Sequence, residues 1–170
     1  EFRRVLFRSA LRKRGAEVTI IDENAKSHPE FTVIHPDQID ISTCDRLLIS
    51  PGWRELHPMV QAARAAHVPI INEIDLAWSL KKPQQKWLAL TGTNGKTTTV
   101  ELTALMLQKG GIAALACGNV GTTVIETVDS ALDYDYLVLE LSSFQLHWME
   151  DASFSAAAIL NIAQDHLDWH

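Results

Sequence analysis

The segment Thr91-Gly92-Thr93-Asn94-Gly95-Lys96-Thr97-Thr98 constrains this chain more than any other, because it stands between a strand pattern and a helix pattern. A glycine-rich loop at such a junction lets several backbone N–H groups converge on one point with little side-chain bulk in the way. The N-terminus of the following helix adds unsatisfied donors and partial positive charge. A junction of this kind suits a triphosphate. Lys96 is placed to reach the β- and γ-phosphates, and the Thr97 hydroxyl to ligate Mg2+. Gly92, Thr93, Asn94, Gly95, Lys96, Thr97 and Thr98 are therefore nucleotide-binding candidates, with ATP and Mg2+ as the implied cofactors. The loop departs from the G-x-x-x-x-G-K-[ST] pattern, since Leu90 stands where the first glycine belongs. A glycine-rich turn that binds nothing is the competing reading, and the strand–loop–helix context argues against it.

Around this loop the chain alternates helical and extended patterns, which implies parallel sheets with right-handed crossovers and an α/β fold. Leu11–Arg14 ends at Gly15, a helix terminus. Val18–Ile21, Phe31–Ile34, Leu47–Ile49 and Pro69–Ile71 read as short strands, with helices over His57–Ala66 and Ile74–Leu80. The polar, proline-bearing stretch Lys81-Lys82-Pro83-Gln84-Gln85 reads as a domain boundary. Residues 10–82 then form a Rossmann-like first unit and residues 83–170 a second, P-loop-type unit, both incomplete. In the second, strands are expected at Trp87–Leu90, Ala113–Cys117, Leu137–Leu139 and Ala156–Leu160, with helices over Thr97–Lys109 and Thr122–Ala131. The last of these strands is expected to be buried. Residues 1–9 are set aside, because Arg3-Arg4-Val5-Leu6-Phe7-Arg8-Ser9 looks like a translated sequencing adapter; a natural basic arm is the alternative.

Composition narrows the partners. A net charge of −6 over 170 residues argues against a general nucleic-acid binder, which needs a basic face. No apolar run approaches a membrane span and no signal peptide is apparent, so a cytoplasmic protein is expected. Cys44 and Cys117, far apart in sequence, read as free thiols in a reducing compartment. A monomer is expected.

Three further segments give the loop a context. Gly118-Asn119-Val120-Gly121 follows the second strand, Leu139-Glu140-Leu141-Ser142-Ser143-Phe144-Gln145-Leu146 the third, and Asn161-Ile162-Ala163-Gln164-Asp165-His166-Leu167-Asp168 the fourth. Together with T-G-T-N-G-K-T-T they resemble the muramyl ligase family, and within it the D-glutamate-adding members. The resemblance is strongest over Thr91–Asp168; in the first unit Ser50-Pro51-Gly52 is its best match. Folylpolyglutamate synthase shares the loop type, but its loop usually reads G-K-G-S. A nucleotide-binding module without catalysis is a further alternative, with no need of Glu140, His166 and Asn119 together.

The resemblance implies an ATP-dependent amide ligase. It would join UDP-N-acetylmuramoyl-L-alanine to D-glutamate through an acyl phosphate, with Lys96, Glu140 and His166 as catalytic residues. Glu140 closes an apolar strand at its carboxyl end, where ligands bind in open parallel sheets and where a buried carboxylate calls for a cation. By resemblance Thr97, Glu140 and His166 are metal ligands. Asn119, Ser143 and Gln145 would face the UDP-sugar substrate, and Ser50 its diphosphate; Asp22 is a weaker candidate for the uridine. Chemistry alone does not nominate His166, since Mg2+ prefers oxygen. His28, His35, His57, His67, His147 and His170 show no ligand spacing. The carbamylated lysine and third domain that the family carries have no counterpart in these 170 residues, and no ligase activity is expected of them alone.

Overall fold

The structure is a computed structural model that describes residues 2–24 and 27–169, with side chains of the first helix from Arg8 onward. It comprises two compact units, Glu1–Ile71 and Asn72–His170. Among the described residues no helix is long and apolar enough to cross a membrane.

The first unit opens with α1 (Phe2–Lys13), whose backbone continues through the segment set aside on sequence grounds. Gly15 ends it at φ 83°, where glycine lacks the Cβ that strains the left-handed region, and Ala16 N–H returns to Leu11 C=O at 3.2 Å. Strand β1 (Thr19–Ile21) pairs in parallel with β2 (Thr32–Ile34), and β3 (Leu47–Leu48) with β4 (Ile70–Ile71). Between β3 and β4 runs α2 (Pro58–Ala65), which buries Met59, Val60 and Ala63. Proline at its first position costs no helix bond, and the His57 imidazole accepts from Met59 N–H at 3.2 Å. His35 caps a single 3-10 turn in the same way. Two histidines without ligand spacing thus have local capping work; His170 lies outside the described residues.

The second unit begins before the proline-bearing stretch rather than after it. Asn72 caps α3 (Glu73–Leu80), its Oδ1 accepting from Asp75 N–H at 2.9 Å. This helix packs on α5 (Val124–Asp129), so it belongs to the second unit, and the polar stretch 81–85 is a loop inside that unit.

Strands β5 (Lys86–Thr91), β6 (Ala114–Gly118), β7 (Tyr136–Glu140) and β8 (Ala156–Ile159) form one parallel sheet in the order β6-β7-β5-β8. Parallel neighbours need crossovers, which α4 (Lys96–Lys109), α5 and the short α6 (Ser143–His147) help provide. Strand β7 lies inside the sheet with Leu137, Val138 and Leu139 fully buried, and Leu90, Val100, Ala104 and Val138 share a core cluster with α4. Strand β8 departs from expectation. It is an edge strand, and its four residues are exposed rather than buried.

This order decides where chemistry can gather. Strands β5 and β7 are neighbours with Leu90 opposite Glu140, and Leu141 N–H donates to Leu90 C=O at 2.9 Å. The phosphate-type loop leaving β5 and the carboxylate ending β7 therefore emerge side by side.

Candidate functional site

The loop is shaped by its glycines at two points. Gly92 has φ 143°, and a Cβ there would lie 3.1 Å from the backbone N and O of Asn161. Gly95 caps α4 at φ 83°. The first helical bond runs from Thr99 N–H to Gly95 C=O at 3.1 Å, so the amides of Gly95, Lys96, Thr97 and Thr98 precede the helical ladder. These four are the donors such a helix start presents to an anion. The amides of Thr93 and Asn94 are turned elsewhere: Thr93 N–H donates to Asn161 C=O at 3.2 Å and Asn94 N–H to Asn161 Oδ1 at 2.9 Å. Lys96 Nζ folds back onto the carbonyls of Gly92 (2.6 Å) and Thr93 (3.1 Å), which hold its charge over the loop.

Glu140 is 2% exposed and has a partner on each carboxylate oxygen. Thr97 Oγ1 donates to Oε2 at 2.7 Å, and Asn119 Nδ2 to Oε1 at 3.1 Å. Asn119 is fixed by its own backbone, whose N–H donates to Glu140 C=O at 2.9 Å. The approach of β6 to β7 depends on Gly118, since a Cβ there would sit 2.4 Å from Glu140 C=O. Three sequence candidates, Thr97, Asn119 and Glu140, thus form one bonded cluster beside the loop.

The remaining candidates are placed differently. Gln145 is buried, and its Oε1 accepts from Ser142 N–H (3.0 Å) and Ser142 Oγ (3.1 Å) in a capping box at the start of α6. Its amide oxygen therefore works locally, and Ser143 follows as the first, exposed residue of that helix. His166 lies in the left-handed region at φ 51°. It packs on Phe144 with ring centroids 4.7 Å apart and faces the Asp165 carboxylate at 3.6 Å. Phe144 and His147 in turn meet Trp169 edge-on. Among the described residues no group of three or more His, Cys, Asp or Glu is arranged to hold a metal ion, so His166 and Glu140 do not form an all-residue metal cage. In the first unit Ser50 accepts through its carbonyl from Trp53 N–H at 3.1 Å, in the turn after β3. Asp22 closes a turn, its carboxylate accepting from Asn24 N–H at 2.9 Å.

Residues 90–170 match the Mur ligase middle domain. The chain belongs to the Mur ligase family. It is 45% identical to a UDP-N-acetylmuramoylalanine–D-glutamate ligase of Thermobifida fusca, over 95% of this chain and 37% of that protein. Proteins of the same description from Mycolicibacterium vanbaalenii (41% identical) and Streptomyces coelicolor (36%) are matched over 95% and 92% of this chain and 36% of their own lengths. The chain thus spans little more than a third of these relatives. In fold it is similar to the crystal structure of a UDP-N-acetylmuramate:L-alanyl-γ-D-glutamyl-meso-diaminopimelate ligase from Neisseria meningitides. That likeness has a TM-score of 0.53 at 21% identity, over 94% of this chain and 57% of the other.

For this Mur ligase domain, sequence reasoning missed Asn161 and Asp75. Asn161 opens the D-H-x-D segment and grips the phosphate loop, but an asparagine after an apolar run carries no signal of its own. Asp75 reads as an ordinary acid in a first helical turn. Only the fold shows its carboxylate accepting the main-chain N–H groups of Glu150, Asp151 and Ala152 at 2.8–3.0 Å.

Proposed function

We propose that this chain is the ATP-capturing part of an amide ligase that joins D-glutamate to UDP-N-acetylmuramoyl-L-alanine in peptidoglycan precursor synthesis. The observation that carries the reading is the 2.7 Å contact between the Thr97 hydroxyl and the buried Glu140 carboxylate beside a phosphate-type loop. The names of the relatives supply the two substrates. In this reading the first unit, with Ser50, receives the UDP part. Asn119, Ser143 and Gln145 face the sugar side of the second, and the whole protein works as a cytoplasmic monomer.

The donor set suits Mg2+. Thr97 and Glu140 bring two oxygens together, one of them anionic and buried, and Mg2+ is an oxygen-seeking ion that commonly binds through one or two carboxylates and substrate phosphates. When bound there, the ion neutralises charge on the nucleotide phosphates. His166, packed on Phe144, offers a nitrogen as a further ligand.

The chain's own residues do the positioning. Lys96 Nζ exchanges the carbonyls of Gly92 and Thr93 for phosphate oxygens, while the amides from Gly95 to Thr98 donate to the same group. A substrate carboxylate oxygen attacks the γ-phosphorus and ADP leaves. The amine of D-glutamate then displaces phosphate from the acyl phosphate, closing the amide and releasing a proton.

Calorimetry with Mg-ATP on the chain and on its Lys96→Ala variant tests the capture step. Saturable binding that the variant loses is the expected result. A folded chain that binds no Mg-ATP would overturn the assignment of capture to these residues. Phosphate release by the whole protein, dependent on D-glutamate and not on L-lysine, tests the substrate.

A further inference from the structure

The pairing of β8 with β5 does not stop at the last strand residue. Leu160 N–H donates to Thr91 C=O at 2.9 Å, and Thr93 N–H to Asn161 C=O at 3.2 Å, which carries the ladder into the phosphate loop. One residue further the Asn161 side chain replaces a peptide. Its Oδ1 accepts from Asn94 N–H at 2.9 Å and its Nδ2 donates to Asn94 C=O at 2.8 Å, so a single carboxamide satisfies both main-chain polar groups of Asn94. The Thr93 hydroxyl adds a third tie, meeting Ala163 C=O at 3.3 Å and Ala163 N–H at 3.0 Å. Gly92 permits this approach, because a Cβ there would crowd both Asn161 and Leu160.

We infer that Asn161 is a positioning residue for the phosphate loop: its carboxamide holds the Asn94 peptide so that the amides from Gly95 to Thr98 stay turned toward the nucleotide. The inference rests on the proposed ATP-capturing role for its consequence, though not for its geometry. A loop of small residues has many conformations, and glycines at positions 92 and 95 widen the choice. With no grip on Asn94, its amide and carbonyl are free to turn inward, and Lys96 has its loop carbonyls within reach as alternative partners. With the grip in place the loop is formed before the nucleotide arrives, and the ordering cost is already met by folding. The tie also makes the loop and the segment leading to His166 one continuous piece of structure, since residues 161–163 begin that segment.

The test compares the unaltered chain with N161A and N161D, by amide NMR without ligand and by calorimetry with Mg-ATP. Asn161→Ala removes the acceptor of Asn94 N–H, so that amide is expected to shift upfield and exchange about tenfold faster. The Thr93 amide, held by main chain, changes less and serves as the internal reference. Asn161→Asp keeps an acceptor oxygen and loses the donor, so the Asn94 amide stays protected; a general loosening of the fold would spare neither variant nor reference. Mg-ATP affinity is expected to fall about tenfold in N161A. An Asn94 amide that is unchanged in N161A, or that moves equally in N161A and N161D, overturns the inference. So does an N161A affinity within about twofold of the unaltered chain. If the unaltered chain binds no Mg-ATP, the capture reading fails and the amide comparison alone decides the role of Asn161.

Discussion

Two carboxylates in the second unit are buried almost equally, Asp75 at 5% exposure and Glu140 at 2%, and they are satisfied by different kinds of donor. Asp75 accepts three main-chain N–H groups, from Glu150, Asp151 and Ala152, which cannot turn away unless the chain itself moves. Glu140 accepts a hydroxyl from Thr97 and an amide from Asn119, both on side chains that change partner by rotating about a single bond. The first arrangement ties α3 to the loop after α6. The second joins the end of β7 to α4 and to the residue after β6, beside the glycine-rich loop. Equal burial thus goes with two kinds of donor, one fixed in the main chain and one carried on side chains that can rotate.

The largest expected effect lies on the structural side. Asp75→Ala leaves three amides without the acceptor that closes their loop, and should cost about 3–5 kcal/mol of unfolding free energy. Asp75→Asn keeps one acceptor oxygen and should cost roughly half of that. Urea titration measures both. A loss of less than about 1 kcal/mol in Asp75→Ala would break the contrast, because the bond network would then be incidental to the fold.

Glu140→Gln should behave in the opposite sense. The carboxamide keeps the size of the side chain and can still accept from Thr97, and the Asn119 carboxamide can turn over to accept from the new NH2 group, so stability should change by no more than about 1 kcal/mol. What disappears is the charge on the oxygen facing Thr97. The unaltered chain should bind ATP more tightly with Mg2+ than without it, and this difference should vanish in the variant. A Glu140→Gln chain as unstable as Asp75→Ala would place Glu140 with the structural acids.

This contrast also marks how far the sequence could be read. Element types follow from local pattern, so the strand–loop–helix around Lys96 and the parallel pairing were legible from apolar runs and glycine punctuation. The grouping of Thr97, Asn119 and Glu140 was legible only in part: the resemblance paired Thr97 with Glu140 but turned Asn119 toward the substrate, whereas both side chains bond the Glu140 carboxylate. Donor assignment was not. Gln145 is nominated for substrate by its segment, yet it caps α6 with the same oxygen, a choice made by backbone geometry four residues wide. The unit boundary was missed for a related reason: Pro83 signals a turn whether or not a domain ends there, and only the packing of α3 on α5 assigns that helix to the second unit. Strand β8 looked buried because its alanines are apolar, whereas burial depends on edge position in the sheet.

A third buried acid sharpens the comparison with the smallest effect. Cys117, on β6 opposite Leu139 of β7, is 1% exposed. Burial pushes its thiol up from 9.0 to about 12, the Thr127 hydrogen bond offsets part of this, and the nearby charge of Glu73 adds to it. The single hydrogen bond from Thr127 is too little donor support to keep an ionised form. Below pH 9 the thiol is protonated in both folded and unfolded chains and contributes nothing to the pH dependence of stability. Between pH 9 and about 12 the unfolded chain releases the proton while the folded chain keeps it, so stability falls as pH rises. Urea midpoints at neutral and alkaline pH should therefore separate more in the unaltered chain than in Cys117→Ala. At neutral pH the same burial makes Cys117 inert, since the thiolate is the reactive form. Iodoacetamide should modify the half-buried Cys44 in the folded chain and reach Cys117 only on unfolding. Equal labelling rates in the folded chain would mean that β6 opens readily from its edge of the sheet, and that Asn119, which comes directly after it, does not hold Glu140 as firmly as Asp75 is held.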